Sequence, residues 1–129
     1  MENKTFLDTD FLIDFLRNKD FAVSFMKESE QNHICISIIS LYELFYGAFK
    51  SQSSKKLISV EKLASRINIF GINYEIAKEA ARIYADLERR GQTLEFKDVL
   101  IGTTALLNKG NFKANNIRHF QRIEGLKII

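Results

Sequence analysis

Four acidic residues stand where acids are costly. Asp8 and Asp10 interrupt the run Thr5 to Asp14, TFLDTDFLID; Glu43 is the one charge within residues 38–49, IISLYELFYGAF; and Asp98 directly precedes the apolar stretch from Val99 to Leu107. An ionised carboxylate beside buried apolar side chains costs on the order of several kcal/mol unless it is hydrogen-bonded, paired or bound to metal. Each acid has a plain structural reading. Asp8 or Thr9 can cap a helix, and so can Asp98. As a set, the acids have a chemical reading. Several carboxylates brought together are the oxygen donors that hard divalent ions such as Mg²⁺ or Mn²⁺ take, with coordination positions left for water and substrate. No histidine or cysteine cluster at metal-ligand spacing competes with this reading, and Cys35, the only cysteine, reads as an inert core residue.

For the acids to meet, the chain must fold so that far-apart segments share one edge. Lys4 to Leu7 is short and apolar enough for a buried strand, which puts Asp8 at its carboxyl end, where open α/β sheets place their ligands. Phe11 to Leu16 then forms a helix greasy on more than one face, needing cover from the sheet and from either a neighbouring helix or a second protein. Residues 19 to 31 form an amphipathic helix, His33 to Ile36 a second buried strand, and Ser37 opens a helix over residues 38 to 49 that carries Glu43. Tyr42 and Tyr46 on that helix read as core or interface residues by their spacing. The serines and lysines at 51 to 56 mark a loop or helix start before an amphipathic stretch through Leu57, Val60, Leu63 and Ile67, and residues 67 to 71 make a third strand.

The clearest helix spans residues 73 to 90, with Ile76, Ala77, Ala80, Ala81, Tyr84 and Leu87 as its inner stripe; Gly91 ends it. A further helix, Val99 to Leu107, stops at Lys109-Gly110. A short strand near Phe112, a polar turn at Asn115-Asn116 and a last strand from Leu126 to Ile129 complete the chain. Strands alternating with helices predict a parallel sheet covered on both faces, a three-layer α/β/α sandwich.

The totals agree with one soluble domain over residues 1–129. The chain is 46% hydrophobic and 27% charged, with 11 phenylalanines, which excludes disorder. Its opening residues resemble neither a signal peptide nor a membrane anchor, and no apolar run reaches the ~18 residues a spanning helix needs, so a cytoplasmic protein without membrane partners is expected. The net charge of +3 is compatible with a polyanionic partner without requiring one.

LDTDFLID, SLYELFYGA, KDVLIGTTAL and NNIRHFQRIEGL together resemble, in order and over essentially the whole chain, the four motifs of PIN-domain ribonucleases, specifically the VapC-like toxins of type II toxin-antitoxin pairs. The resemblance implies a Mg²⁺-dependent (or Mn²⁺-dependent) endoribonuclease acting on RNA, working as a homodimer silenced by a cognate antitoxin. The matching positions are Asp8, Glu43 and Asp98: Asp8 and Asp98 as metal ligands, Glu43 holding the metal through water or acting as a base. Asn116 would position a water or phosphate oxygen, and Thr9, otherwise a helix cap, a hydroxyl near the scissile phosphate. Two departures stand out. Asp10 replaces the family's usual asparagine, and Asn115 and Asn116 stand where many members carry a fourth acid. Glu95 could approach from its loop, and Lys97, Arg118 and His119 are candidate phosphate contacts. The DTD after an apolar strand also resembles haloacid-dehalogenase-type phosphatases, and a non-catalytic interaction module is the third alternative.

Overall fold

The computed structural model describes residues 3–30 and 33–129. Five strands, β1 (Thr5–Leu7), β2 (Ile34–Ser37), β3 (Asn68–Phe70), β4 (Asn111–Lys113) and β5 (Lys127–Ile128), form one sheet in the order β3-β2-β1-β4-β5. Every neighbouring pair is parallel, with Phe6 opposite Cys35 on one side and Phe112 on the other. The strands are short, and their side chains alternate between two cores as the period of a strand requires. Phe6, Cys35 and Phe112 face one core and Leu7, Ile34 and Ile36 the other.

The helices α1 (Thr9–Leu16), α2 (Asp20–Glu28), α3 (Ile38–Lys50) and α4 (Ser54–Ala64) fill the Leu7 face, where Phe11, Leu12, Ala22, Leu41, Leu44, Val60 and Leu63 are buried. The opposite face is covered by α5 (Tyr74–Arg89), α6 (Phe96–Leu107) and α7 (Ile117–Phe120) through Ala80, Ile83, Leu87, Val99, Ile101 and Phe120. This is the expected α/β/α sandwich. The chain steps from β1 outward to β2 and β3, then returns across the sheet to β4 on the other side of β1. The strand order therefore reverses between β1 and β4, and such a reversal leaves a crevice at the carboxyl ends of the two strands. Backbone bonding closes its floor: Asp8 N–H donates to the Lys113 carbonyl at 3.0 Å.

The greasy α1 finds its second cover in a neighbouring helix: Phe11 and Leu12 are fully buried, and Phe21 and Phe25 of α2 pack edge-on against the Phe11 ring at 6.0 and 5.3 Å. Other local expectations are corrected. On α3 the reverse holds: Tyr42 and Tyr46 are more than half exposed and lie nearly parallel, 6.3 Å apart, so they are not core residues. The inner stripe of α5 is Ile76, Ala80, Ile83 and Leu87, while Ala77 and Ala81 face solvent. Ending at Glu28, α2 stops short of the expected end at residue 31, and Gln31 lies outside the described residues. The turn at Asn115-Asn116 leads into α7, a four-residue helix too short to show periodicity. Among the described residues no helix is long and apolar enough to cross a membrane.

Candidate active site

Asp8 follows β1 at the crevice and takes the N-cap position of α1, yet its side chain makes no capping bond. It is only 4% exposed. Its carboxyl is pushed up from 3.8 to about 7, first by burial, then by the charges of Asp10 and Asp98 and least by that of Glu43, with a hydrogen bond from the Thr9 backbone N–H pulling the other way. The capping reading of Asp8 fails, since it has the position without the bond. Asp10 is exposed in the first turn of α1 and is the strongest of the charges felt by Asp8.

Thr9, the first residue of α1, is likewise no cap. Its hydroxyl donates to Glu43 Oε1 at 2.6 Å and lies 3.0 Å from Ser40 Oγ. Ser40 and Glu43 are three residues apart on α3 and therefore share a helix face. Ser40 is wholly buried, and it is not among the residues that stand out in the sequence. The signal was its i, i+3 spacing to Glu43. On the other side of Glu43, Lys97 Nζ stands 3.6 Å from Oε2. Glu43 is thus held at both oxygens by side chains from two different helices.

Asp98 is not an N-cap either. Glu95 takes that position on α6, which begins at Phe96, and Asp98 lies one turn in. Burial raises its carboxyl above the ordinary value, the His119 imidazole lowers it by hydrogen bonding and charge, and Glu95 and Asp10 raise it. Asp98 Oδ2 is 2.9 Å from His119 Nε2. Glu95 itself is exposed. Asn116 caps α7, accepting from the His119 backbone N–H at 3.2 Å, and Asn115 Nδ2 donates to Asp14 Oδ2 at 2.7 Å, tying the loop after β4 to α1. Arg118, in the same helix, is exposed.

Asp98 and Glu43 are therefore both close enough for their charges to act on Asp8. Among the described residues, however, no three His, Cys, Asp or Glu side chains form a ready-made cage for a metal ion. A divalent ion held by one or two carboxylates plus water and phosphate oxygens needs no such cage. The donor set is all oxygen, and the buried, uncapped carboxylate of Asp8 is the group that a cation would relieve. The residues present fit such an ion.

A parallel α/β sheet with carboxylates at its switch point is a place where a ligand can bind and where a divalent cation would find oxygen donors. The sequence pattern of the PIN domain matches residues 5–126, and the chain belongs to that family. It is 34% identical over 125 residues to the tRNA(fMet)-specific endonuclease VapC of Shigella flexneri, covering 96% of this chain and 95% of the relative. It is also 28% identical to ribonuclease VapC2 of Haemophilus influenzae, over 96% of this chain and 95% of that one. The fold superposes on DNA-bound VapBC from Salmonella typhimurium with a TM-score of 0.90 at 32% identity, covering 98% of this chain and 97% of the other. On VapBC-1 from nontypeable Haemophilus influenzae it scores 0.84 at 25% identity, over 97% and 96%. PIN-domain ribonucleases in general depend on divalent metal.

Proposed function

We propose that this protein is an endoribonuclease that hydrolyses RNA phosphodiester bonds with Mg²⁺ or Mn²⁺, the toxin of a toxin-antitoxin pair, with residues 1–129 acting as one cytoplasmic nuclease unit. The observation that carries the reading is Asp8: a carboxylate 4% exposed, without a capping bond, facing the charges of three other acids. The VapC relatives, named as ribonucleases or endonucleases, and the VapBC structures support the activity and the pairing.

Asp8 and Asp98 would hold the cation. When bound, it supplies Lewis acidity to a phosphoryl oxygen and acidifies a water. The remaining work falls to the protein. Glu43, fixed by Thr9 and Lys97, orients the attacking water and accepts its proton. Lys97 and Arg118 offset the field of the carboxylates for the incoming phosphate. Thr9 already gives its hydroxyl proton to Glu43, so it acts on substrate through that residue. Asn116 spends its carbonyl oxygen on α7 and contributes by placing that helix.

A groove of about 450 Å³ between α1, α3 and α4 is lined by Glu43, by the apolar Ile13, Leu16, Leu44 and Val60, and by Lys55 and Lys56. It supports docking of an apolar, acid-bearing segment of the antitoxin, which would end at the acidic crevice. The exposed Tyr42, Tyr46 and Phe49 on α3 support a homodimer, to be checked by light scattering.

The test is cleavage of total RNA by the purified chain. Cleavage that needs added Mg²⁺ or Mn²⁺, and disappears in Asp8→Asn and Asp98→Asn with unchanged circular dichroism, is expected. Cleavage indifferent to both substitutions, or release of phosphate from small monoesters through a trapped aspartyl-phosphate, would overturn the reading.

A further inference from the structure

The last segment of the chain brings no acid to the crevice through Asn115 or Asn116. It brings His119. Three contacts anchor the short helix that carries it: Asn115 ties the preceding loop to Asp14 of α1, Asn116 caps α7 at the His119 backbone N–H, and the next residue, Phe120, is buried against Phe112 at 4.7 Å between ring centres. A four-residue helix so anchored holds its imidazole in one place, with Nε2 2.9 Å from Asp98 Oδ2.

We propose that His119 is a positioning residue for Asp98: its Nε2–H occupies Oδ2 and leaves Oδ1 as the oxygen that turns to the divalent ion. The direction of the bond follows from the inventory of donors. An ionised carboxylate only accepts, so the Nε2 atom carries the proton. Carboxylates that ligate metals are themselves held by such outer hydrogen bonds, and losing one typically weakens metal binding about 10- to 100-fold. In this chain the final segment therefore serves the cation by aiming a ligand of α6, and the asparagines serve by placing the helix that does so. Lys97 plays the corresponding part for Glu43, but at 3.6 Å and with its side chain 36% exposed it is a looser tether.

The inference rests on the proposed metal site, and metal affinity separates the two. MnCl₂ alone is titrated calorimetrically into metal-free wild type, His119→Ala, His119→Phe and His119→Gln, each checked for fold by circular dichroism. Wild type should bind Mn²⁺. Alanine, which removes ring and donor, and phenylalanine, which keeps a ring without the donor, should both weaken binding about 10- to 100-fold. Glutamine, whose amide N–H reaches a similar position, should recover most of the affinity. In RNA cleavage the same variants should need more Mn²⁺ for half-maximal rate while approaching the wild-type rate at saturation. Affinity unchanged in alanine and phenylalanine, with wild type binding normally, overturns the role of His119 alone; so does phenylalanine matching wild type, which would reduce the residue to packing. Wild type that takes up no Mn²⁺ overturns the site and this inference together.

Discussion

Asp8 and Asp98 face the same crevice from opposite sides of the switch point, and their surroundings differ. Asp98 sits one turn into α6 with an imidazole on one oxygen, whereas Asp8, more deeply buried, has no side-chain partner and is surrounded by like charge. One carboxylate is compensated within the chain; the other is not. If the proposed cation binds here, Asp98 would be an oriented ligand, and Asp8 the group whose charge the ion relieves most, because its burial makes the unbound state the costly one.

The largest expected effect breaks this contrast at Asp8. Its carboxyl is raised, so between about pH 4 and 7 the folded metal-free chain binds more protons than the unfolded one, and stability falls as pH rises through that window. A rise from 3.8 to about 7 corresponds to about 4 kcal/mol at the most. Chemical denaturation of the metal-free protein should show this loss between about pH 4 and 7, Asp8→Asn should abolish it and be the more stable protein at pH 8, and Asp98→Asn should gain less. Activity should move oppositely, with Asp8→Asn losing roughly 10²- to 10³-fold, the range for removing one charge-stabilising group. A metal-free protein whose stability ignores pH in this window would erase the difference between the two acids.

An intermediate effect is expected at Thr9. Thr9→Val keeps the shape and removes the proton given to Glu43; a hydrogen bond to a charged group is worth about 1.5–3 kcal/mol, so kcat should drop roughly ten- to a hundredfold while Mn²⁺ affinity holds. The smallest belongs to Lys97. Its pair with Glu43 is partly exposed, and Lys97→Met should change kcat less than about fivefold, as for other solvent-facing ion pairs. A Thr9 variant with full kcat would place the functional weight of Glu43 elsewhere.

The sheet and its two covering layers were legible because each strand is a compact apolar run; the three motif acids stood out because Asp8 follows an apolar run, Glu43 lies within one and Asp98 precedes one. What was not legible depends on partners distant in sequence. Asp8 and Thr9 are both good N-cap types, so only coordinates show Asp8 in the position without the bond and Thr9 spending its hydroxyl on Glu43, 34 residues away. Asp98 looked like a cap because the apolar run begins at Val99, but α6 starts at Phe96, an exposed aromatic that pattern reading left outside the helix. Alanine tolerates either face of a helix, which is why Ala77 and Ala81 were set on the wrong side of α5. The role of His119 was hidden because α7 is one turn long, and nothing in its local sequence points 21 residues back to Asp98.

The most direct test of the central claim is the anomalous difference map of a crystal soaked in MnCl₂. One strong peak is expected about 2 Å from an oxygen of both Asp8 and Asp98, with Glu43 reaching it through water. A peak bound elsewhere, or none at the crevice at saturating Mn²⁺, would contradict it.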